Sequence, residues 1–181
     1  MERYEMRFTG SGGQGVILAS VIFAEAAVIA DKNTIQSQAY GPEARGGMCK
    51  AETILSDGQI WFSKVTCPNF LLALTQKSLE KFAPDTAEDA VILADESLTI
   101  PENLEGRKIY TLPILSAAAE KVGKAMTANI VAVGAINGLL GLFDEDVLTE
   151  AVKRHIPAGT EALNEKALKV GRELAETIKK A

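Results

Sequence analysis

The sequence predicts an α/β protein: three layers, α/β/α, around a mostly parallel sheet that carries an inserted antiparallel hairpin. Three observations predict it. First, a short apolar run at Tyr4–Thr9 leads into a glycine loop, Gly10-Ser11-Gly12-Gly13-Gln14-Gly15, and then into a long helical pattern over Gln14–Ala30. Second, Ala90–Ala94 (Ala-Val-Ile-Leu-Ala) is a short continuous apolar run, as in a strand buried on both faces of a parallel sheet. Third, Asn129–Phe143 is apolar almost all round and carries Gly134, Gly138 and Gly141, so it reads as a buried helix that another backbone approaches closely.

In chain order, Tyr4–Thr9 is strand one. Gln14–Ala30 is a core helix with Val16, Ile17, Val21, Ile22, Phe23, Ala27 and Val28 on its apolar side. Thr34–Ala39 is a second strand, and a β-loop-α-β start calls for a parallel pair joined by a right-handed crossover. The loop Tyr40–Gly47 follows. Met48–Leu55 and Gln59–Phe62 flank the turn signal Ser56-Asp57-Gly58 and predict the antiparallel hairpin. Cys67–Phe82 predicts a helix, with Pro68 in its first turn and Leu71, Leu72, Leu74 and Leu79 inward. Asp95 and Glu96 end the apolar strand, Arg107–Leu112 is the last strand, and Pro113–Gly123 is a short alanine-rich helix. Asp144–Ile156 and Gly159–Lys180 are amphipathic helices, the latter with Leu163, Ala167, Val170, Leu174 and Ile178 at helical spacing. With no internal repeat or low-complexity linker, residues 1–181 read as a single domain.

Composition excludes several classes of function. A net charge of −5 gives no bulk attraction to nucleic acid or to an anionic membrane. No apolar run reaches the length of a membrane span, and Met1–Glu5 lacks the apolar core of a signal peptide, so a cytoplasmic protein is expected. The two cysteines, Cys49 and Cys67, lack metal-ligand spacing and cannot hold an iron–sulfur cluster by themselves, which takes four thiolates. Both read as buried thiols. His155, the one histidine, lies near a predicted helix end and reads as a dipole partner rather than a base. No nucleophile–base pair, carboxylate pair or metal set is present, so the chain is poorly equipped to catalyse alone.

Two loops remain as candidate sites. A strand feeding a glycine loop and then a helix points several backbone N–H groups, and the positive helix end, at one place. Gly10, Gly12, Gly13, Gln14 and Gly15 are therefore expected to receive an anionic or carbonyl-like group. Gly10, Gly12 and Gly15 also satisfy the Rossmann-like G-x-G-x-x-G pattern. A dinucleotide site wants an acid at the end of strand two, where Gln36, Ser37 and Gln38 stand instead. The second loop, Tyr40, Gly41, Pro42, Glu43, Ala44, Arg45, Gly46 and Gly47, has a stiff start and a pliable end around one guanidinium, suited to carboxylate or phosphate. Both loops are expected at the carboxyl ends of parallel strands, facing one crevice.

On these residues the chain resembles the gamma subunit of the 2-oxoacid:ferredoxin oxidoreductases, which act on pyruvate, 2-oxoglutarate or 2-oxoisovalerate (ketoisovalerate). Phe8–Gly15, with Gly-Gly-Gln-Gly at its core, is similar to that family's N-terminal glycine loop. Gln36 through Gly46, with Tyr-Gly-Pro-Glu-Ala-Arg-Gly, is similar to its second signature. Asn129, Asn164, Ala167 and Gly171 extend the match nearly end to end. The resemblance implies an oxidoreductase subunit that completes a site or interface rather than carrying the chemistry. It implies alpha, beta and delta-type partner subunits holding thiamine diphosphate, magnesium and iron–sulfur clusters. Coenzyme A is the acyl acceptor and ferredoxin takes the electrons through the complex. Whether the chain also forms a homodimer stays open, as does the small subunit of an indolepyruvate oxidoreductase. The alternative is a free-standing dinucleotide-, flavin- or coenzyme A-binding protein.

Overall fold

A computed structural model of the chain describes residues 3–40, 47–104 and 106–179. Its strands are β1 (Tyr4–Ser11), β2 (Asn33–Tyr40), β3 (Met48–Ser56), β4 (Phe70–Ala73), β5 (Val91–Asp95) and β6 (Lys108–Leu112). They form one six-stranded sheet in the order β2-β3-β1-β4-β5-β6. Strands β1, β4, β5 and β6 run parallel, while β3 is antiparallel to both its neighbours, β1 and β2. The helices are α1 (Val16–Ile29), α2 (Gln76–Phe82), α3 (Ile114–Ala117), α4 (Ala128–Leu140), α5 (Glu145–Lys153) and α6 (Glu161–Lys179). A π-helical turn over Ala118–Val122 extends α3, and a 3-10 turn over Ala125–Thr127 leads into α4.

The α/β architecture agrees with the sequence, and three of its details do not. β1 and β2 run in the same direction but are not neighbours, because β3 lies between them. β3 follows β2 with only residues 41–47 between them and pairs with it antiparallel, so β2 takes the sheet edge and β3 the place beside β1. The expected partner of β3, Gln59–Phe62, is not a strand; β3 is already hydrogen-bonded on both edges. Trp61 in that segment is 85% exposed. Cys67–Phe82 is not one helix either. Phe70–Ala73 is β4, with all four residues buried, and only Gln76–Phe82 is helical. Leucines that face both sides of a sheet mimic a helical stripe over so short a run.

Side-chain alternation explains how the sheet builds two cores. Along β4, Phe70 and Leu72 point to one face and Leu71 and Ala73 to the other. The first face packs against α1, α3, α4, α5 and α6, with Phe8, Phe23, Phe70 and Phe143 in ring contact at 5.6–6.3 Å between centroids. The second packs Leu71, Ala73, Ile92 and Ala94 against Leu79 and Ala83 around α2. On that same face of β1 and β3, Arg7 donates to Glu52 at 2.7 Å and lies 5.5 Å over the Phe82 ring, a buried ion pair in place of apolar packing. The α4–α6 seam is close-packed through glycine. A Cβ on Gly134 would sit 2.2 Å from the Leu168 carbonyl oxygen, and one on Gly171 would sit 2.0 Å from that of Val131.

Candidate functional site

The pairing register fixes where the two loops emerge. At one rim of the sheet, Ser11 at the end of β1 lies opposite Met48, and Tyr40 at the end of β2 lies opposite Cys49. Both strands therefore deliver their following loops to the two sides of the start of β3. Gly12 N–H donates to the Gly47 carbonyl at 2.9 Å and ties the glycine loop to the end of the second loop. Gly41, Pro42, Glu43, Ala44, Arg45 and Gly46 lie outside the described residues, as does the Tyr40 side chain. The expectation that both loops share one rim holds at their anchors, Ser11, Tyr40, Gly47 and Met48.

Within the glycine loop the residues divide by role. Gly10 belongs to β1, paired with Cys49, and a Cβ there would meet Gln14 Oε1 at 2.5 Å. Gln14 turns inward. Its Oε1 accepts from Ser11 N–H at 2.7 Å and its Nε2 donates to the Leu74 carbonyl at 3.4 Å, so this side chain staples the loop to the end of β4. Gly12 and Gly13 are exposed, and Gly13 has φ +101°. Gly15, at φ +71°, is the N-cap of α1. That helix has no side-chain cap and no acid in its first turn. Its leading N–H groups are thus left without intrahelical partners at the rim.

Asn129 was absent from the candidate set read from the sequence, and the structure brings it to this point. It lies in the first turn of α4, is 6% exposed, and stacks against Gly15. Its Nδ2 is 2.7 Å, and its Cβ 2.9 Å, from where a Cβ on Gly15 would lie. An asparagine ahead of an apolar helix reads as a helix start; nothing local in the sequence ties it to a loop more than a hundred residues earlier.

The ionisable groups elsewhere are structural. Burial pushes the Cys49 thiol up from its ordinary value, away from nucleophilic use. Cys67 is exposed, contrary to the buried reading, because its segment runs over the sheet face as a loop. Tyr4, at the opposite end of β1, is pushed up to about 12 by burial and then by the Asp89 charge. His155 Nε2 lies 3.3 Å from Glu25 Oε2 on α1, beside the Arg154–Glu25 ion pair at 2.9 Å. The Arg154 hydrogen bond, followed by that of His155, holds the Glu25 carboxyl below its ordinary value, against the opposing pull of burial. Gln36, where a dinucleotide site would place an acid, donates to Ser20 Oγ of α1 at 2.9 Å. A cleft of about 550 Å³ opens between α4, α5 and α6, lined by Gly138, Phe143, Asp144, Leu168 and Arg172. It lies toward the end of α4 remote from Asn129. Among the described residues no group of three or more His, Cys, Asp or Glu side chains could hold a metal ion, and no helix is long and apolar enough to cross a membrane.

Comparison with known proteins covers almost the whole chain. The sequence model described as pyruvate ferredoxin/flavodoxin oxidoreductase matches residues 5–174. The chain is 38% identical over 179 residues to the 2-oxoglutarate synthase subunit KorC of Methanocaldococcus jannaschii, covering 97% of this chain and 96% of that one. It is 37% identical over 150 residues to the ketoisovalerate oxidoreductase subunit VorA of Methanothermobacter thermautotrophicus, covering 82% of this chain but 31% of that longer one. Among solved structures, the keto/oxoacid ferredoxin oxidoreductase gamma subunit of Geobacter sulfurreducens superposes with a TM-score of 0.88 at 42% identity, covering 98% of both chains.

Proposed function

The chain belongs to the pyruvate ferredoxin/flavodoxin oxidoreductase family, and on that premise we propose that it is the gamma subunit of a cytoplasmic 2-oxoacid:ferredoxin oxidoreductase. The complex oxidatively decarboxylates a 2-oxo acid, passes the acyl group to coenzyme A and reduces ferredoxin. This chain forms one domain of it and supplies a binding rim rather than the reacting groups. One observation supports that reading: the Gly12–Gly47 hydrogen bond at 2.9 Å ties the glycine loop to the end of the second loop at one rim. The site residues are Gly10, Gly12, Gly13, Gln14 and Gly15, with Tyr40, Gly41, Pro42, Glu43, Arg45 and Gly46 from the second loop.

The donor sets decide which groups this chain can hold. Cys49 lies at the glycine rim, whereas Cys67 lies ahead of β4, where the next strand residues run alongside Glu5 at the other end of β1. Two thiols so placed do not fit an iron–sulfur cluster. The described residues likewise offer no carboxylate set for the magnesium of thiamine diphosphate. These groups belong to the alpha, beta and delta-type subunits. Coenzyme A, which supplies the accepting thiol, carries phosphates whose charge suits the uncapped start of α1. The 2-oxo acid is held by the partners. Identities of 38% and 37% to relatives named for different 2-oxo acids do not select one for this chain.

Reconstitution tests the reading. The partner subunits are assembled with and without this chain, and 2-oxo acid-dependent ferredoxin reduction is measured. Arg45→Ala is expected to weaken assembly or turnover. Full ferredoxin reduction by a complex that lacks this chain would overturn the proposal.

A further inference from the structure

The two edges of the sheet are built differently. β6, at one edge, has five residues, opens on the exposed Lys108 and runs into Pro113. A short strand, a lysine and a proline keep an edge from pairing with another chain. β2, at the other edge, has eight residues, Asn-Thr-Ile-Gln-Ser-Gln-Ala-Tyr, with no charge and no proline. It pairs with β3 over all eight positions without a bulge, and no strand lies beyond it among the described residues. The cation just before it, Lys32, is held by Asp57.

The helix over this edge gives a second and independent sign. α1 carries a single charged residue, Glu25, which turns to Arg154 and His155 at the end of α5. A helix that is apolar all round is normally buried all round. In α1 the sheet side is buried, as at Ala19, Phe23 and Ala26, but Ile17, Val21 and Ala24 are only half-buried and Val28 is 56% exposed. These four recur at helical spacing and form one stripe. At about 100° per residue the stripe falls between Ser20, which accepts from Gln36 of β2, and Glu25, so it faces outward on the β2 side.

An open strand edge and an uncharged stripe thus adjoin. We infer that they form one interface whose occupant is a second copy of this chain, with β2 paired antiparallel to its copy across a two-fold axis. β2 is its own complement. An axis through Ser37 sets Gln36 opposite Gln38, Ile35 opposite Ala39 and Thr34 opposite Tyr40. Each such pair is an even number of residues apart, so its side chains share a face, and no like charges are opposed. The same axis places both α1 stripes on one side of the joined sheet. With a net charge of −5 on each copy, an uncharged surface is where two copies meet with least repulsion. The inference uses no residue of the glycine rim and goes beyond the gamma-subunit reading.

Sedimentation equilibrium of the full chain, without partner subunits, tests it. The unaltered chain is expected at twice its own mass. Ser37→Lys opposes two ammonium groups on the axis and should raise the dimer dissociation constant at least about tenfold. Val28→Glu should raise it at least about fivefold. Thr111→Lys, on the β6 edge, should leave it unchanged. Native far-UV circular dichroism confirms that each variant folds. A positive readout comes from Ser37→Cys in a Cys67→Ser background. Opposed residues of an antiparallel pair lie about 4.5–5.5 Å apart at Cα, within disulfide reach. Oxidised glutathione should therefore join two chains by a bond that dithiothreitol cleaves, and Thr111→Cys in the same background should not be joined. If a charged variant fails to fold, the cysteine variants decide. A folded chain that stays monomeric, a dimer that both charged variants leave unchanged, or equal cross-linking at Thr111→Cys overturns the inference. So does protection of the β2 amides from hydrogen exchange only after partner subunits are added, which would give this edge to a partner subunit. Ferredoxin reduction is not read, so failure here and failure of the gamma-subunit reading are separate results.

Discussion

Glycine solves two different problems in this molecule, at the rim and in the α4–α6 seam. At the rim, Gly13 and Gly15 are needed for backbone conformation, with φ +101° and +71°. In the seam, Gly134 and Gly171 are ordinary helical residues, and the missing Cβ is what matters, because a carbonyl oxygen of the facing helix stands 2.2 or 2.0 Å from where it would be. The rim glycines expose N–H groups to solvent, whereas the seam glycines exclude it. The contrast teaches that the same residue marks a binding loop in one place and a packing contact in the other, and that the neighbouring residues tell them apart. Polar Ser11 and Gln14 surround the first group, and Val131, Ala135 and Leu168 the second.

The comparison breaks most readily at Gly171. Alanine is favoured over glycine in a helix by about 1 kcal/mol. Here its Cβ would meet backbone, which cannot move without separating α4 from α6, so Gly171→Ala is expected to cost about 3 kcal/mol net. Urea unfolding measures it, and an unchanged midpoint would remove the distinction between seam and rim. Gly15→Ala comes next, at about 2 kcal/mol, from left-handed backbone strain and contact with Asn129. Combining it with Asn129→Ala removes part of that contact, so the two losses should fall short of additivity by about 1 kcal/mol in a double-mutant cycle. Strict additivity would mean that Gly15 is needed for its φ alone. Gly13→Ala meets nothing within 4 Å and keeps only the strain, for about 1 kcal/mol.

The smallest effect lies along α1, away from both glycine groups. Glu25 has a folded pKa below its ordinary 4.5, set first by Arg154 and then by His155. A depressed carboxylate stabilises the fold above its unfolded pKa, and that contribution is lost as pH falls through the folded value. Glu25→Gln should therefore cost about 0.5 kcal/mol at neutral pH, and the difference from the unaltered chain should vanish well below pH 4.5. Thermal melts at both pH values check it. A difference that grows on acidification would show that α1 is not anchored there by charge.

Local patterns announced β5, α4 and the glycine loop, because a doubly buried strand, an all-apolar helix and a glycine cluster each have a signature within a few residues. β4 did not announce itself: four apolar residues satisfy a strand and a helix equally. The pairing of β3 was hidden for another reason. Its own residues specify a strand but not which two strands flank it, and the turn signal after Ser56 suggested a neighbour that β1 and β2 had already displaced. The candidate site was read as two loops, and the pairing register brings their anchors, Ser11, Tyr40, Gly47 and Met48, to one rim.

By itself the sequence determined most of the element types, the glycine loop and the family, since each depends on residue identity over short stretches. Only the tertiary structure decided that β3 separates β1 from β2, that Gln14 is a staple and that Asn129 meets Gly15. Those outcomes depend on register and on helix placement across the chain. Register and placement follow from the packing of the whole sheet and its helices, which no short stretch encodes.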